Sequence, residues 1–246
     1  MRTHRTAALV SQGDEIVIGQ TLDTNSKWLA ERLLERGVLP VEHVSLPDDA
    51  AALRRAFLRL ADTVDLILCT GGLGPTADDL TREALAAALH EPLVEDPEAL
   101  AQIESWFKGR GRDMPAINRV QALRPASAVS IRNDHGTAPG LHAALGQAEV
   151  FCMPGPPREL FPMFEQFVAP RLNPPAGEVV RAWTIHTIGL GESDVATRLR
   201  GGQHGDLMAR AHAADAGPAR VLVGTTASGG VVSVRIRAVG ASAASA

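Results

Sequence analysis

The stretch Leu68–Leu89, LCTGGLGPTADDLTREALAAAL, sets Gly71, Gly72 and Gly74 beside Thr76, Asp78 and Asp79. It lies between an apolar run and a helix-like one. Glycines carry no Cβ, so their backbone N–H groups can approach an anion closely. Thr76 adds a hydroxyl, and the following helix offers its positive amino-terminal end. This is not the phosphate loop G-x-x-x-x-G-K-[ST], because the lysine is missing, nor the dinucleotide fingerprint G-x-G-x-x-G. The same residues also read as a glycine turn in which Asp78 or Asp79 caps a helix.

Two aspartates beside an anion site need a reason. They would repel a phosphate unless a divalent cation lay between. Mg²⁺ or Mn²⁺ takes oxygen ligands from one or two carboxylates plus phosphate oxygens. Asp14, Glu15 and Asp48 can be brought to the same edge by their strands. The expected site is therefore a set of metal-binding carboxylates, Glu15, Asp48, Asp78 and Asp79, facing a phosphate cradle. Each carboxylate taken alone also serves as a helix cap or a solvated surface group. Gly155 and Pro156, in Pro154-Gly155-Pro156-Pro157, offer a second anion contact or simply a rigid turn. His135 in NDHGTAPG is a candidate acid or base and also reads as a solvated loop histidine. Asn133, Thr137 and Gly140 suit ligand hydrogen bonds better than chemistry. GESD and the eight histidines of the chain show no metal-ligand spacing. Cys69 and Cys152 read as buried reduced thiols, as in a reducing cytoplasm.

The elements that must position these residues follow from periodicity. Thr6–Ser11, PVEHVSL and VDLILC read as strands, the last apolar throughout as expected with both faces covered. Helices alternate with them: DTNSKWLAERLLERG, capped by Asp23 or Asn25; AALRRAFLRLA, capped by Asp48 or Asp49; a helix through Leu89; and one from Asp96-Pro97 to about Lys108. This alternation predicts βαβ units and a largely parallel sheet. INRVQAL reads as helical, AVSIRN, GLHAAL and AEVFCM as short strands, and a helix runs from about Arg158 to Leu172. Ligands of open α/β sheets bind beyond the carboxyl ends of the strands, where the glycine, aspartate and proline clusters fall. NPPAGE, Asn173–Glu178, reads as a linker. Beyond it VVRAWTIHTIG alternates, GESDVATRLR is helical, and RVLVGTT-ASGG-VVSVRIRAV forms a hairpin, together a small α+β domain. The tail ASAASA reads as disordered.

The chain has 246 residues, 45% of them hydrophobic and 21% charged, which fits a globular protein able to bury a core without disulfides. Its net charge of −4, from 24 basic and 28 acidic residues, gives no reason to expect nucleic acid or an anionic membrane as partner. The basic-then-apolar start runs at once into Gly13-Asp14-Glu15 and is too short for a signal peptide.

Taken together, GDEIVIGQTLDTNSKWLAERL, DLILCTGGLGPTADDLTREALA, NRVQAL, NDHGTAPGL and MPGPPRELFPMF resemble the molybdopterin-binding-like domain of the CinA family, related to MogA, MoaB and the gephyrin molybdenum-insertion domain. They span almost all of Ala7–Leu172. IGLGESDVATRL and the last hairpin are similar to the small domain that follows in CinA proteins. The resemblance implies a three-layer α/β/α domain over 1–173 with a mostly parallel sheet, a small α+β domain over 178–240, a tail at 241–246, and a homo-oligomer. It implies metal-dependent pyrophosphate cleavage, of ADP-ribose in CinA-type domains and of FAD in eukaryotic FAD synthases; the MogA branch instead adenylylates molybdopterin.

Carried over by position, Gly71, Gly72 and Gly74 match the ligand-cradling glycines, and Asp48 and Asp79 the two aspartates considered essential in the MogA branch. Gly13, Asp14, Glu15, Asp23 and Asn25 match the first CinA-type motif, and Gly155 with Pro156 the proline-rich turn. Many members carry lysine where this chain has Ala77, a change that weakens phosphate binding. No deamidase-like segment follows Val239, so nicotinamide-nucleotide deamidation is not expected. The expected function is metal-dependent hydrolysis of a nucleotide pyrophosphate such as ADP-ribose, with Asp48 and Asp79 catalytic. Mg, Mn or Co would be the cofactor, and no organic cofactor is required. Gly13, Asp14, Asn25, Gly71, Gly72, Gly74, Thr76, Asn133, Thr137, Gly155 and Pro156 would hold the ligand. The alternatives are a non-catalytic binder of a pterin or nucleotide and a molybdopterin adenylyltransferase-like enzyme.

Overall fold

Apolar runs with no polar alternation become strands buried on both faces. In the computed structural model β1 (Thr6–Gln12) is buried from Ala7 onward, and β3 (Leu66–Thr70) throughout. The structure describes residues 2–177, 179–201, 205–209 and 220–240, with only the backbone of Arg220. The tail expected at 241–246 and the linker residue Glu178 lie outside the described residues. The chain divides into two compact units, one of Met1–Arg32 with Leu39–Asn173 and one of Leu33–Val38 with Pro174–Ala246. The resemblance implies a single domain over all of 1–173. The division sets Leu33–Val38 apart, and an added Cβ on Gly37 would meet the Pro174 ring at 3.3 Å.

In the first unit β1 is followed by a single helical turn, α1 (Asp14–Val17), and by α2 (Thr24–Glu35). Asp23, not Asn25, closes the start of α2, its carboxylate accepting from the Ser26 amide at 2.9 Å. Then come β2 (Leu39–Leu46) and α3 (Ala50–Ala61), capped by Asp49 through the Ala52 amide, and β3 leads to α4 (Thr81–Leu89). Two three-residue strands absent from the sequence reading, β4 (Leu93–Glu95) and β5 (Leu123–Pro125), pair with each other and flank α5 (Pro97–Lys108). Asp96 caps α5, and Pro97 occupies its first turn as expected. INRVQAL lies in a 3₁₀ segment, Ala116–Ala122, rather than an α-helix. β6 (Val129–Ile131), β7 (Gly140–Leu145) and β8 (Ala148–Met153) complete the sheet. The helix expected to run to Leu172 is α only over α6 (Pro157–Met163), then a π turn and a 3₁₀ turn. Pro162 and Pro170 each remove an amide donor from the ladder.

The six strands lie in the order β2-β1-β3-β8-β7-β6, with β2, β1, β3 and β8 parallel and β7 antiparallel to both its neighbours. On one face Ala8, Val10, Ile67, Cys69, Val150 and Cys152 pack with Leu53, Phe57 and Leu60 of α3 and Ala84 and Leu85 of α4. Leu9, Leu68 and Phe151 alternate with that set, point the other way, and are fully buried too. Trp28 of α2 stacks on Phe161 of α6 at 4.1 Å. Helices on both faces make the three-layer α/β/α architecture that the family resemblance implies.

In the second unit β9 (Val179–Ile188), α7 (Glu192–Gly201), β10 (Arg220–Ser228) and β11 (Val231–Gly240) form an antiparallel sheet of order β10-β11-β9 and a helix. Val232 and Val234 alternate with outward polar residues and are buried with Val195 of α7. Gly229 and Gly230, at φ +58° and +78°, make the hairpin turn. Among the described residues no helix is long and apolar enough to cross a membrane.

Candidate functional site

The parallel strands β2, β1, β3 and β8 end on one edge of the sheet. Antiparallel pairing brings the β6–β7 connection to that edge as well. Along it lies a cavity of about 570 Å³. Gly72 and Asp79 from the β3–α4 loop, Glu15 and Gln12 from the end of β1, and Asp48 from the end of β2 all line it. Thr137, Gly155, Pro156 and Glu159 line it on the β8 and β7 side. The strand-end clusters singled out in the sequence thus open onto one crevice.

The glycine loop is turned so that its carbonyls face α4. Gly71 and Gly72 have φ of +96° and +65°, a region that favours glycine. The Gly71 carbonyl accepts from Thr81 Oγ1 at 2.9 Å and the Gly72 carbonyl from the Thr81 amide at 3.1 Å. Leu73 and Gly74 carbonyls accept from Arg82 Nη1 and Nη2, each at 2.7 Å. In a trans peptide the N–H opposes the C=O. The amides of Gly72 and Leu73 are therefore turned away from α4, and among the described residues they have no acceptor. The other amides of the loop are already used. Gly71 donates to the Met153 carbonyl at 3.0 Å, and Gly74 and Thr76 donate to Asp79 at 2.6 and 2.9 Å. The cradle expected from Gly71 to Thr76 reduces to a two-amide nest. Arg82, 2% exposed, props it from behind. Burial pushes its guanidinium below the usual arginine range, against the charges of Glu83 and Asp79.

Each carboxylate has its own surroundings. Asp79 caps no helix; both its oxygens clasp the glycine loop, one of them also taking the Thr76 hydroxyl at 2.5 Å. Asp48 accepts from Gln12 Nε2 at 2.7 Å and from the Asp14 amide at 3.2 Å, and its own amide donates to Asp14 Oδ1. Gln12 is the hub: its Oε1 lies 2.5 Å from Thr81 Oγ1 and shares that hydroxyl's single hydrogen with the Gly71 carbonyl, and an added Cβ on Gly72 would collide with Gln12 Oε1. Asp23 is taken by Ser11 and the Ser26 amide. Glu15 and Asp78 are exposed at the mouth. The Glu15 carboxylate lies where a Cβ on Gly13 would sit 2.6 Å from it.

Some expected ligand contacts are not made. Asp14 and Thr76 do not line the cavity, because their side chains are turned to the Asp48 amide and to Asp79. Asn133, 2% exposed, does not line it either; its Nδ2 donates to the Ala138 carbonyl and Glu159, and its Oδ1 accepts from the His135 amide. Gly140 serves close packing: a Cβ there would meet Met163 Sδ at 2.6 Å. His135 is exposed and outside the cavity. Asn25 does line it. Its Nδ2 donates to the Gly155 carbonyl at 2.7 Å, and its buried Oδ1 has no partner. Gln12, Thr81, Arg82 and Glu159 escaped the sequence reading. Only the position of Gln12 at the close of the first apolar run hinted at a role.

Six acidic residues line the cavity, Glu15, Asp23, Asp48, Asp78, Asp79 and Glu159, and no lysine, arginine or histidine does. Among the described residues no three His, Cys, Asp or Glu side chains gather closely enough to hold a metal.

Residues 8–174 match the family model described as "Probable molybdopterin binding domain". A Symbiobacterium thermophilum protein named as competence-damage inducible is 44% identical over 209 residues, covering 82% of this chain and 47% of that one. The CinA-like protein of Deinococcus radiodurans is 42% identical over 197 residues, covering 78% and 48%. The chain spans about half the length of the curated relatives it matches. The crystal structure of the protein CinA from Thermoplasma acidophilum aligns with a TM-score of 0.62 at 33% identity, over 66% of this chain and 95% of that one. By its sequence and its fold, the chain belongs to the CinA family, with residues 8–174 as its molybdopterin-binding-like, MogA/MoaB-like domain.

Proposed function

We propose that the cavity binds and hydrolyses a nucleotide pyrophosphate such as ADP-ribose, with Mg²⁺, Mn²⁺ or Co²⁺ arriving alongside the phosphates. One observation carries this reading: two free amides stand among six lining acidic residues with no basic side chain. A phosphate placed there needs a cation between it and the carboxylates.

The donor set suits such a cation. All candidates are carboxylate oxygens, and Mg²⁺ is commonly held by one or two carboxylates plus substrate phosphates rather than by a closed protein cage. Each oxygen of Asp48 accepts one hydrogen bond and keeps a second lone pair. Asp48, with one of Glu15, Asp78 and Asp79, would hold the ion, the substrate phosphates completing its shell. Bound there, it would polarise a phosphoryl oxygen and lower the pKa of an attacking water.

The chain's own residues do the rest. The amides of Gly72 and Leu73 stabilise negative charge on a phosphoryl oxygen. Gln12 and the Asp14 amide fix the Asp48 carboxylate. The cavity runs along the sheet edge from β2 to the β6–β7 connection, with the glycine loop between, which suits a ligand substituted on both sides of its phosphates.

Purified protein is expected to release AMP from ADP-ribose with at least one of Mg²⁺, Mn²⁺ and Co²⁺, and Asp48→Asn to abolish release. No turnover of ADP-ribose or FAD with any of the three would end this reading. A second reading, binding without hydrolysis, is favoured by the use of Asp79 inside its own loop. Calorimetric binding with the ligand intact by mass spectrometry would select it.

A further inference from the structure

Glu159 is 7% exposed and is, among the described residues, the one acidic side chain buried in the protein. It also lines the cavity. A buried carboxylate is costly unless donors or charges compensate it. Asn133 supplies one bond, Nδ2 to Oε2, at 2.9 Å. The Arg158 Nε is 3.7 Å from Oε1, on a side chain that is 82% exposed. A carboxylate offers about four acceptor sites, and these contacts leave some of them open.

The surroundings are built to hold this group in place. Both donor hydrogens of Asn133 are spent, one on Glu159 and one on the Ala138 carbonyl at 2.8 Å, and its oxygen is held by the His135 amide. Asn133 therefore locks the carboxylate and reads nothing itself. Gly136 leaves the space, since an added Cβ would collide with Glu159 Oε2. The remaining lining carboxylates differ: Asp23, Asp48 and Asp79 are bonded to the fold, and Glu15 and Asp78 are exposed.

We propose that Glu159 is a specificity-determining residue that accepts a pair of adjacent hydrogen-bond donors from the ligand. The pair is either the vicinal hydroxyls of a ribose or the N–H and amino edge of a 2-amino-4-oxo ring, as in guanine or a pterin. Asp48 follows β2 and Thr137 precedes β7, four strand spacings of about 4.8 Å apart. Glu159, seated against Gly136 beside Thr137, therefore lies on the opposite side of the glycine loop from Asp48. It meets what is attached to the phosphates rather than the phosphates, which its charge would repel. A ring edge that presents an acceptor is rejected for the same reason. This rests on the cavity being the ligand site, but not on hydrolysis.

The test is calorimetric binding with Mn²⁺ present, comparing the full chain with Glu159→Gln. The probes are inorganic pyrophosphate, ADP-ribose, ADP, 2′,3′-dideoxy-ADP, GDP and IDP. The variant is near-isosteric and keeps an oxygen for Asn133. It is expected to melt like the wild type and to weaken at least one nucleotide tenfold or more, leaving pyrophosphate within twofold. Loss for ADP and ADP-ribose but not for dideoxy-ADP assigns the hydroxyl pair. Loss for GDP exceeding that for IDP, which lacks the amino group, assigns the ring edge. Asn133→Ala, which unlocks the carboxylate without removing it, should weaken the same ligands less. Unchanged affinities in Glu159→Gln, or equal weakening of pyrophosphate, overturn the proposal. Wild-type protein that binds pyrophosphate but no nucleotide also overturns it and leaves the phosphate site standing. Wild-type protein that binds none of the probes overturns both.

Discussion

Three carboxylates in the wall of this cavity are each seated against a glycine: Glu15, which is exposed, and Asp79 and Glu159, which are not. Asp79 fills the space beside Gly74, and Glu159 the space beside Gly136; a Cβ on either glycine would collide with the neighbouring carboxylate. Their hydrogen bonds then diverge. Asp79 collects two backbone amides and a hydroxyl from residues three to five positions away, so its charge is absorbed by its own loop. Glu159 collects one amide hydrogen from Asn133, 26 residues away, and is more deeply buried. The same packing device yields a clasp in one place and an under-satisfied acceptor in the other. What separates structure from recognition here is the number of donors the fold supplies to each carboxylate.

The comparison breaks most visibly if Asp79 proves dispensable. Asp79→Ala leaves the Gly74 and Thr76 amides without their acceptor and should cost about 3 kcal/mol in urea unfolding, with loss of pyrophosphate binding. Removal of the Glu159 charge by Glu159→Gln should cost under about 1 kcal/mol, because it also removes a buried-charge penalty. Equal costs for the two variants would erase the distinction between clasp and acceptor.

Gly72→Ala ranks next. The added methyl meets Gln12 Oε1 and occupies a φ of +65°. Strain and overpacking together should cost about 2 kcal/mol. Pyrophosphate affinity should fall with it, because Gln12 is displaced from Asp48 and the two free amides are reoriented. A Gly72→Ala protein with wild-type melting and wild-type pyrophosphate affinity would show that the nest is not built as described.

How much of this was readable beforehand depends on the range over which each residue acts. The apolar runs of β1 and β3, the Asp49 cap of α3, the Asp96-Pro97 start of α5 and the glycine hairpin between β10 and β11 are all set by neighbours within a few positions, and periodicity exposed them. β4 and β5 have three residues each, too few for a period to show. The helix expected to reach Leu172 breaks because Pro162 and Pro170 withdraw amides that spacing alone had counted as present. At the site, Gly72 and Asp79 announced themselves by type. Gln12 acts on Asp48 and Thr81, 36 and 69 residues away, and Glu159 is held by Asn133 from another strand end. Nothing local in their sequence marks such partners. Asp79 was visible as a residue but not in its role, since a helix cap and a loop clasp have similar spacing.

The smallest expected effect concerns a third carboxylate away from the cavity, and it sharpens the rule about donors. Glu149 is shared by two imidazoles, His4 Nε2 at 2.7 Å and His142 Nε2 at 3.4 Å. His142 stacks on Phe151 at 4.3 Å. Burial holds its pKa below the usual histidine value; Glu149 opposes this, and the charges of Arg171 and His4 add to it. A histidine with a depressed folded-state pKa binds its proton more readily when unfolded, so the unfolded chain carries more protons. Its contribution to stability is full above about pH 6.5 and is lost as the pH falls through the folded-state value. Melting temperature should therefore decline between about pH 7 and pH 5, and His142→Gln should flatten part of that decline without changing pyrophosphate affinity. An undiminished decline in the variant would mean that Glu149 already supplies His142 with enough opposing charge to cancel the cost of its burial. Donor and charge supply, rather than depth, would then decide the behaviour of this carboxylate cluster as it does for Asp79.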